Sequence, residues 1–137
     1  MMAQTGQVHS FDVLIVGGGP VGLSLGIALA RFAPGMRVGL LDRRKLAVPK
    51  DSRASAIAAG VRHLFEAIGV WDGMAEGANP IAEMKITDSG TGDISRPVFL
   101  DFSGHRGPGE PFAHMVPNTA SAASLIAAAQ ELVTIIE

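Results

Sequence analysis

The hydrophobic pattern at the start of the chain predicts a strand, a helix and a second strand. Asp12 is followed by a short apolar run at residues 13–16, and residues 23–32 are mostly apolar over a length that suits a helix. Pro34 and Gly35 predict the end of that helix, and Arg37 is followed by a second apolar run at residues 38–41. Two apolar strands joined by a helix form a βαβ unit, so this order predicts an α/β fold with a parallel sheet.

The same kind of pattern predicts the elements of the remaining chain. A second helix begins near Ser52 and ends at Gly69, and a linker follows over residues 72–80. Two strands at residues 81–87 and 98–102 are joined by a turn at residues 88–92, and a loop covers residues 103–111. The last elements are a short strand at residues 112–116, a helix of about 13 residues from Asn118 and a strand at residues 133–136. The usual order of strands places residues 38–41 between residues 12–16 and 133–136. Such a sheet normally continues beside its first strand, so the open edge predicts a truncated domain of a longer protein.

Composition excludes several classes of protein. The chain has 137 residues, 47% of them hydrophobic, and a net charge of −2, which fits a globular domain with a sizeable core. The 11 Lys and Arg residues form no strong cluster, which argues against nucleic-acid binding. The absence of cysteine rules out disulfides, thiolate metal sites and cysteine nucleophiles. The four histidines lack the spacing of metal ligands, so no metal site is predicted.

The apolar stretch at residues 11–30 has the length of a membrane span. It contains five glycines and a proline, however, and no basic segment precedes it as in a secretory signal peptide. A buried strand, a turn and a helix in a parallel sheet are equally apolar. We therefore expect no membrane span at this position.

A glycine-rich turn between the first strand and the first helix contains the main candidates for ligand binding. Gly17, Gly19 and Gly22 form the pattern G-x-G-x-x-G directly after the strand. Such a turn brings backbone N–H groups and the helix N-terminus close to a diphosphate. Asp42 follows the second strand, where an acid can accept hydrogen bonds from a ribose. This order favours a dinucleotide-binding turn over a plain glycine turn, and the residues expected to form it are Gly17, Gly19, Pro20, Val21 and Gly22.

Three arginines and one asparagine are further candidates for contacts with a nucleotide. Arg43 and Arg44 follow the second strand and could stack on an adenine or meet its phosphates, but a solvated basic turn is an equally good interpretation. Arg53 lies at the start of the second predicted helix, where it could reach a diphosphate or the edge of a cofactor ring or stay solvated. Asn118 is a candidate N-cap that could also contact a cofactor. Of the histidines, His114 is the candidate that could face a bound cofactor or substrate.

Three longer segments resemble one family of enzymes. They are Asp51-Ser-Arg-Ala-Ser-Ala-Ile57, Ile68-Gly-Val-Trp-Asp72 and Phe112-Ala-His-Met-Val-Pro-Asn118. Together with the glycine motif, they resemble the FAD-dependent aromatic hydroxylases of ubiquinone biosynthesis, which belong to the para-hydroxybenzoate hydroxylase class of flavin monooxygenases. The resemblance covers about residues 11–136. Pro117 and Ser121 depart from the Glu and Leu usual in the family, and Asp42 replaces the commoner Glu.

The resemblance implies a Rossmann-like FAD-binding domain of the glutathione-reductase-like type. It divides the chain into a flexible tail at residues 1–10, a discontinuous FAD-binding domain at residues 11–78 and 112–137, and a β excursion toward a substrate domain at residues 79–111. The residues that it implies as FAD contacts are Gly17, Gly19, Pro20, Val21, Gly22, Asp42, Arg43, Arg44, Arg53 and Asn118.

The resemblance also implies an activity. FAD, NAD(P)H and O₂ would hydroxylate an aromatic ring or prenylated phenol in ubiquinone biosynthesis. The expected protein is cytoplasmic, and peripheral attachment at the inner membrane is a possible addition. It could form a homo-oligomer, and no nucleic-acid partner is expected. The family's downstream motifs complete the flavin site, so residues 1–137 alone are expected to be inactive and no catalytic residue is assigned. Two alternatives stay open: an FAD-dependent oxidoreductase without oxygenation, and a non-catalytic FAD- or nucleotide-binding fragment.

Overall fold

The computed structural model describes residues 10–87, 98–103, 105–107 and 110–136. In chain order its elements are β1 (Val13–Val16), α1 (Pro20–Phe32), β2 (Val38–Leu41), β3 (Ala54–Ala58), α2 (Ala59–Ala67), α3 (Asp72–Ala75), β4 (Asn79–Ile81), β5 (Glu83–Thr87), β6 (Val98–Ser103), β7 (His105–Gly107), β8 (Glu110–Pro111), β9 (Ala113–Pro117), α4 (Asn118–Leu132) and β10 (Thr134–Ile136). The chain divides into two compact units, which we call the first unit (Met1–Lys50 with Ser121–Glu137) and the second unit (Asp51–Ala120).

The first unit contains a parallel sheet in the order β1-β2-β10. Val13 pairs with Val38 in one ladder, and Ile135 pairs with Leu40 in the other. The predicted α/β fold and the central position of β2 are confirmed, and so are helix starts near residues 20 and 118. Within the described ranges, no helix combines the length and the apolar character that crossing a bilayer requires.

The core of the first unit forms where α1 lies against the sheet. Ile27 and Leu40 are fully buried, and burial of such a side chain contributes about 1.5–3 kcal/mol. A Cβ on Gly26 would lie 3.3 Å from Val133 Cγ2 and 3.5 Å from Ile15 Cδ1. Because Gly26 has no side chain, α1 approaches β1 closely, and this approach fixes the position of its N-terminus.

The second unit contains an antiparallel sheet in the order β3-β9-β4. Ile57 of β3 and Pro80 of β4 both pair with His114 of β9, so β9 is the central strand. The helix α2 ends as the sequence predicts, with Gly69 at a φ of +68°. The N–H of Gly69 donates to the Glu66 carbonyl at 3.0 Å and that of Val70 donates to the Phe65 carbonyl at 2.9 Å, which is the Schellman arrangement.

The predicted start of the second helix near Ser52 is wrong. Residues 54–58 form β3, and α2 begins at Ala59. The alanine-rich sequence of this segment suits a helix, but its pairing with β9, about 60 residues later, outweighs that local preference. The local pattern contains no information on a partner that far along the chain.

Other corrections concern short elements. The predicted linker at residues 72–80 contains α3 and most of β4, and the strand expected from residue 81 begins at Glu83. The predicted loop at residues 103–111 contains β7 and β8. Each short strand exists because a partner strand supplies its hydrogen bonds, which a local pattern cannot show.

The turn predicted at residues 88–92 lies outside the described residues. The proposed domain boundaries at residues 78 and 112 stay a prediction, because compactness does not identify which part binds a cofactor.

The strands β5 and β6 form the predicted antiparallel pair. Met84 pairs with Phe102 and Ile86 with Leu100, so these four apolar side chains share one face of the pair. Lys85 pairs with Asp101 on the other face, where its ammonium group also lies 3.2 Å from Glu83. The pair is therefore amphipathic, with exposed apolar groups on one side.

An exposed ion pair joins the residues that precede β1 and β2. Arg37 Nη2 lies 2.9 Å from Asp12 Oδ1, and the N–H of Arg37 donates to Asp12 Oδ2 at 2.9 Å. The hydrogen bond from the Arg37 side chain, followed by that from its backbone, lowers the pKa of Asp12 from 3.8 to about 2. The ion pair thus links the starts of two neighbouring strands.

This ion pair should give the chain a defined acid response. The unfolded chain binds a proton at Asp12 more readily than the folded chain, so the contribution of the pair is complete above pH 3.8 and declines as the pH falls toward about 2. Urea unfolding of wild type and Asp12→Asn should therefore differ by a small constant free energy at neutral pH, and by less as the pH falls from 4 to 2. The Arg37→Gln variant is the control, because it keeps the carboxyl group and removes the cation. A difference that grows below pH 4 would contradict this expectation.

Candidate functional site

The backbone of β2 holds the turn between β1 and α1. The N–H of Gly17 donates to the Leu41 carbonyl at 2.8 Å, so the hydrogen bonding between β1 and β2 continues past Val16. Gly17 has a φ of +116°, in the left-handed region that favours glycine. Pro20 begins α1, where its fixed φ and missing N–H are well tolerated. The motif therefore folds into the tight strand–turn–helix that its spacing predicts.

Gly22 and Gly19 are glycines for different reasons. A Cβ on Gly22 would overlap the carbonyl oxygen of Gly17 and lie 3.3 Å from Ile15 Cγ2, so the folded turn leaves no room for a side chain. A Cβ on Gly19 would have no described atom within 4 Å, and the φ of Gly19, −79°, is accessible to any residue. The turn itself therefore does not require glycine at position 19. The open space beside Gly19 instead suits the close approach of a diphosphate.

The N-terminus of α1 offers N–H groups beside that space. The first turn of the helix contains no acidic residue, and in the part of the chain that the structure describes no side chain caps it. The amides of Val21 and Gly22 have no acceptor within the helix, since the first intrahelical bond runs from Leu23 N–H to the Gly19 carbonyl at 2.9 Å. The helix dipole adds partial positive charge at the same point. A diphosphate fits these donors.

Asp42 is fixed beside the turn by two backbone amides. The N–H of Gly18 donates to Asp42 Oδ2 at 2.7 Å, and the N–H of Arg44 donates to Oδ1 at 2.9 Å. The hydrogen bond from Gly18, then that from Arg44, lowers the pKa of Asp42, and the charges of Arg44 and Arg43 lower it further. Asp42 is therefore an ionised carboxylate at neutral pH, and its remaining lone pairs can accept hydrogen bonds from ribose hydroxyls.

Gly18 is a site residue that the motif G-x-G-x-x-G does not identify. A Cβ on Gly18 would overlap Leu46 Cδ2 and lie 3.4 Å from Asp42 Oδ2. The side chain of Leu46 thus packs on the backbone of the turn, close to the hydrogen bond between Gly18 and Asp42. The sequence contains one hint of this role. The motif requires glycine at positions 17 and 19 but not at position 18, so a third glycine between them indicates a further packing constraint.

Two openings flank Asp42 in the first unit. One, of about 320 Å³, has polar and apolar groups in its lining: Gly18, Asp42, Arg44, Leu46, Val48 and Ile126. The other, of about 390 Å³, is bordered by Gly17, Leu41, Asp42, Arg43 and Arg44. The structure thus brings the candidates Arg43 and Arg44 next to the acid and the turn. A mixed lining of this kind suits a ligand that combines a flat ring, a sugar and phosphates.

Arg53 and Asn118 lie together in the second unit, at one end of the β3–β9 ladder. The N–H of Asn118 donates to the Arg53 carbonyl at 2.9 Å, and Asn118 Oδ1 accepts a 2.7 Å hydrogen bond from Ser55 Oγ. The Arg53 side chain is 77% exposed and pairs with Asp51 at 2.8 Å. Its hydrogen bond to Asp51 raises the pKa of Arg53 and lowers that of Asp51, so both groups are charged at neutral pH. The contact between Ser55 and Asn118 has no counterpart in the sequence motifs.

His114 packs as an aromatic side chain in the core of the second unit. It is 9% exposed, and its ring meets the edge of Trp71 at a centroid distance of 5.3 Å. Burial, followed by the charge of Arg62, lowers the pKa of His114, so the ring is neutral at pH 7. Its Nδ1 has no hydrogen-bond partner among the described atoms. Within the same described part of the chain, no group of His, Asp and Glu is arranged to hold a metal ion.

Comparison with known protein families identifies the nucleotide that this site suits. Residues 10–136 match the family described as FAD binding domain, and the match includes both the glycine turn and Asp42. The chain belongs to the FAD-binding domain family. The open space at Gly19, the helix N–H groups and the ionised Asp42 fit the diphosphate and the ribose of FAD.

Relatives of this FAD-binding domain include enzymes named for ubiquinone. The ubiquinone hydroxylase UbiL of Rhodospirillum rubrum is 38% identical over 111 residues, which cover 78% of this chain and 24% of that protein. The mitochondrial ubiquinone biosynthesis monooxygenase COQ6 of Schizosaccharomyces pombe is 38% identical over 73 residues, which cover 47% of this chain and 15% of that protein. The resemblance drawn from the sequence motifs is thus confirmed, and the chain spans less than a quarter of the length of either relative.

Solved structures agree on the fold of the FAD-binding domain. The flavin-dependent monooxygenase PieE, solved in complex with FAD and substrate, matches with a TM-score of 0.63 and 23% sequence identity. The match covers 91% of this chain and 23% of PieE. The α/β fold of an FAD-binding domain is therefore confirmed.

Substitutions at two glycines of the FAD-binding domain should separate cofactor binding from folding. Gly19→Val should leave the unfolding midpoint of the FAD-free chain close to that of wild type, because no described atom lies near its Cβ position, yet it should abolish FAD binding by filling the space for the diphosphate. Gly22→Ala should lower the unfolding midpoint, because its Cβ would overlap the backbone of Gly17. Flavin content after purification and thermal unfolding without FAD measure the two effects.

A matched control comes from the second unit. A Cβ on Gly77 would lie 3.5 Å from Pro117, an ordinary contact, so Gly77→Ala should change neither property much. Equal flavin content in Gly19→Val and wild type would exclude this turn as the FAD site.

Proposed function

We propose that this chain is the FAD-binding domain of a monooxygenase that hydroxylates an aromatic or prenylated phenol in ubiquinone biosynthesis. The observation that carries the cofactor assignment is Asp42, held as an ionised acceptor by Gly18 next to the open turn at Gly19. The names of the relatives, ubiquinone hydroxylase and ubiquinone biosynthesis monooxygenase, support the reaction. The activity is proposed for a whole protein that contains this domain.

In this proposal the first unit binds the adenosine and diphosphate parts of FAD. The diphosphate lies against the turn from Gly17 to Gly22, which includes Pro20 and Val21, and receives hydrogen bonds from the helix N–H groups. Asp42 accepts hydrogen bonds from the ribose hydroxyls. Arg43 and Arg44 place positive charge beside the phosphates or a flat guanidinium against the adenine. The sheet order and the acid after β2 support a glutathione-reductase-like arrangement.

The second unit adds two contacts in the same proposal. The guanidinium of Arg53 is exposed and planar, and it can give a diphosphate or the flavin edge two parallel hydrogen bonds. Asn118 offers an amide next to it. The hydrogen bond from the Asn118 N–H to the Arg53 carbonyl holds the two residues next to each other. This supports the proposal that both contact the same ligand.

The reaction itself depends on the cofactor. When bound, FAD would supply electron transfer from NAD(P)H to O₂ and transfer of one oxygen atom to the aromatic ring. The protein would hold the cofactor, orient the ring and exclude water. The exposed apolar face of the β5–β6 pair, with Ile86, Leu100 and Phe102, supports the assignment of residues 79–111 to a substrate domain, because an aromatic ring or a prenyl chain needs an apolar wall.

The proposed substrate class also bears on location and assembly. A prenylated phenol partitions into lipid, which supports peripheral attachment at the inner membrane for an otherwise cytoplasmic protein. Leu14 and Val16 on β1 are exposed apolar residues, and Val16 is 77% exposed. Such side chains favour burial against further protein, which either the remainder of a longer chain or a second copy in a homo-oligomer would supply.

Removal of the ribose acid should weaken FAD binding without unfolding the chain. Asp42→Ala should raise the FAD dissociation constant about tenfold to a hundredfold, because a charged acceptor of the ribose is lost. Quenching of flavin fluorescence in a titration measures this constant. Asp72→Ala, which removes an exposed acid of α3, is the control and should bind like wild type. Unchanged FAD affinity in Asp42→Ala would remove Asp42 from the site.

The proposed reaction can be tested by complementation. Expression of a whole protein that contains this domain should restore ubiquinone in a bacterial strain that lacks a ubiquinone hydroxylase, whereas residues 1–137 alone should not, and mass spectrometry of the lipid extract should detect the product. The variant with Gly19→Val should fail to restore it, because FAD is excluded. Flavin binding with substrate-independent NAD(P)H oxidation would instead favour an oxidoreductase without oxygenation. Flavin binding without any turnover would favour a non-catalytic domain.

A further inference from the structure

We propose that Ser55 is a positioning residue that orients the side-chain amide of Asn118, so that the Nδ2 group donates to an acceptor atom of FAD. The inference rests on the proposed function, in which Asn118 contacts the cofactor. It assigns a role to Ser55, a residue that belongs neither to the glycine motif nor to the surroundings of Asp42.

The strand register brings Ser55 to Asn118. Ser55 of β3 pairs with Val116 of β9, and Asn118 follows two residues later, so Ser55 stands diagonally across the ladder from Asn118. The hydrogen bond from Asn118 N–H to the Arg53 carbonyl, 2.9 Å long, extends the ladder and fixes the backbone at this point. Ser55 Oγ then donates to Asn118 Oδ1 at 2.7 Å, the usual length of a good O–H···O hydrogen bond.

In the structure this hydrogen bond places the donor end of the Asn118 amide away from Ser55. The side chain of Asn118 has an acceptor end, Oδ1, and a donor end, Nδ2, and a half-turn of the amide would exchange them. Because the Ser55 hydroxyl engages Oδ1, the oxygen faces β3 and the nitrogen faces away from Ser55. A ligand that approaches from that side therefore meets donors. An amide fixed in advance also loses less conformational freedom on binding.

The surroundings of Ser55 allow such an approach. Ala54, Ser55 and Ala56 are exposed and small, so no bulky side chain of β3 lies over this end of the strand. Arg53, on the same face of β3 as Ser55, pairs with Asp51, and the exposed side of its guanidinium keeps further N–H donors for an acceptor of the ligand. FAD carries two kinds of acceptor that fit: the diphosphate oxygens and the carbonyl oxygens of the flavin ring.

The test is a double-mutant cycle on FAD affinity. Ser55→Ala should raise the FAD dissociation constant about three- to tenfold, whereas Ser55→Thr, which keeps the hydroxyl, should stay within about twofold of wild type. In the Asn118→Ala background, Ser55→Ala should change the constant by less than about twofold, because the oriented group is gone. Thr87→Ala removes an exposed hydroxyl of β5 and serves as the matched control. Thermal unfolding without FAD checks that each variant is folded.

Two partial ligands identify the acceptor. If it is a diphosphate oxygen, Ser55→Ala should weaken the binding of ADP and leave that of riboflavin unchanged. If it is a flavin carbonyl, the variant should weaken riboflavin binding and shift the visible absorption band of bound FAD, and ADP binding should stay the same. Either result supports the role of Ser55.

Two results would overturn the inference. They are an FAD affinity in Ser55→Ala equal to that of wild type, and an equal loss of affinity from Ser55→Ala with and without Asn118. Both leave FAD binding by wild type intact, and with it the proposed function. Failure of wild type to bind FAD would instead overturn the proposed function and this inference together.

Discussion

The close packing of α1 against the turn and the sheet is the constraint on which the first unit depends. Gly22 leaves no space between the helix and the Gly17 carbonyl, and Gly26 brings the next turn of the helix against Ile15 and Val133. Ile27 on the same helix is fully buried, so an outward shift of α1 would expose apolar surface. The helix N-terminus is therefore held where its N–H groups meet the open space at Gly19. Packing, rather than polar side chains, places these donors.

The polar part of the site is built largely from backbone amides. Asp42 lies 24 residues from Gly18, yet one 2.7 Å hydrogen bond joins them, and the amide of Arg44 holds the other carboxylate oxygen. The turn that suits a diphosphate and the acid that suits a ribose are therefore coupled: a shift of the turn changes the position and the pKa of the acid. The two backbone amides stabilise the Asp42 carboxylate through hydrogen bonds, and the charges of Arg44 and Arg43 add to this effect.

In the second unit, β9 determines which residues become neighbours. It pairs with β3 on one side and with β4 on the other, and its last hydrogen bonds bring Arg53, Ser55 and Asn118 to one place. A slip of one residue in the β3–β9 register would turn Ser55 to the opposite face and remove this arrangement. His114 lies on β9, and its buried contact with Trp71 outside the sheet helps to fix the register of this strand.

The sequence by itself determined β1, α1 and β2, the order of the first sheet, the end of α2 at Gly69 and the candidates Gly17 to Gly22 and Asp42. Each depends on neighbouring residues or on the regular topology of a parallel sheet, so periodicity and glycine spacing suffice. Only the tertiary structure decided that residues 54–58 form a strand, that Gly18 holds Asp42 and that Ser55 bonds to Asn118. These features depend on partners 24 to 63 residues away, and a local pattern has no means of specifying a contact across that distance.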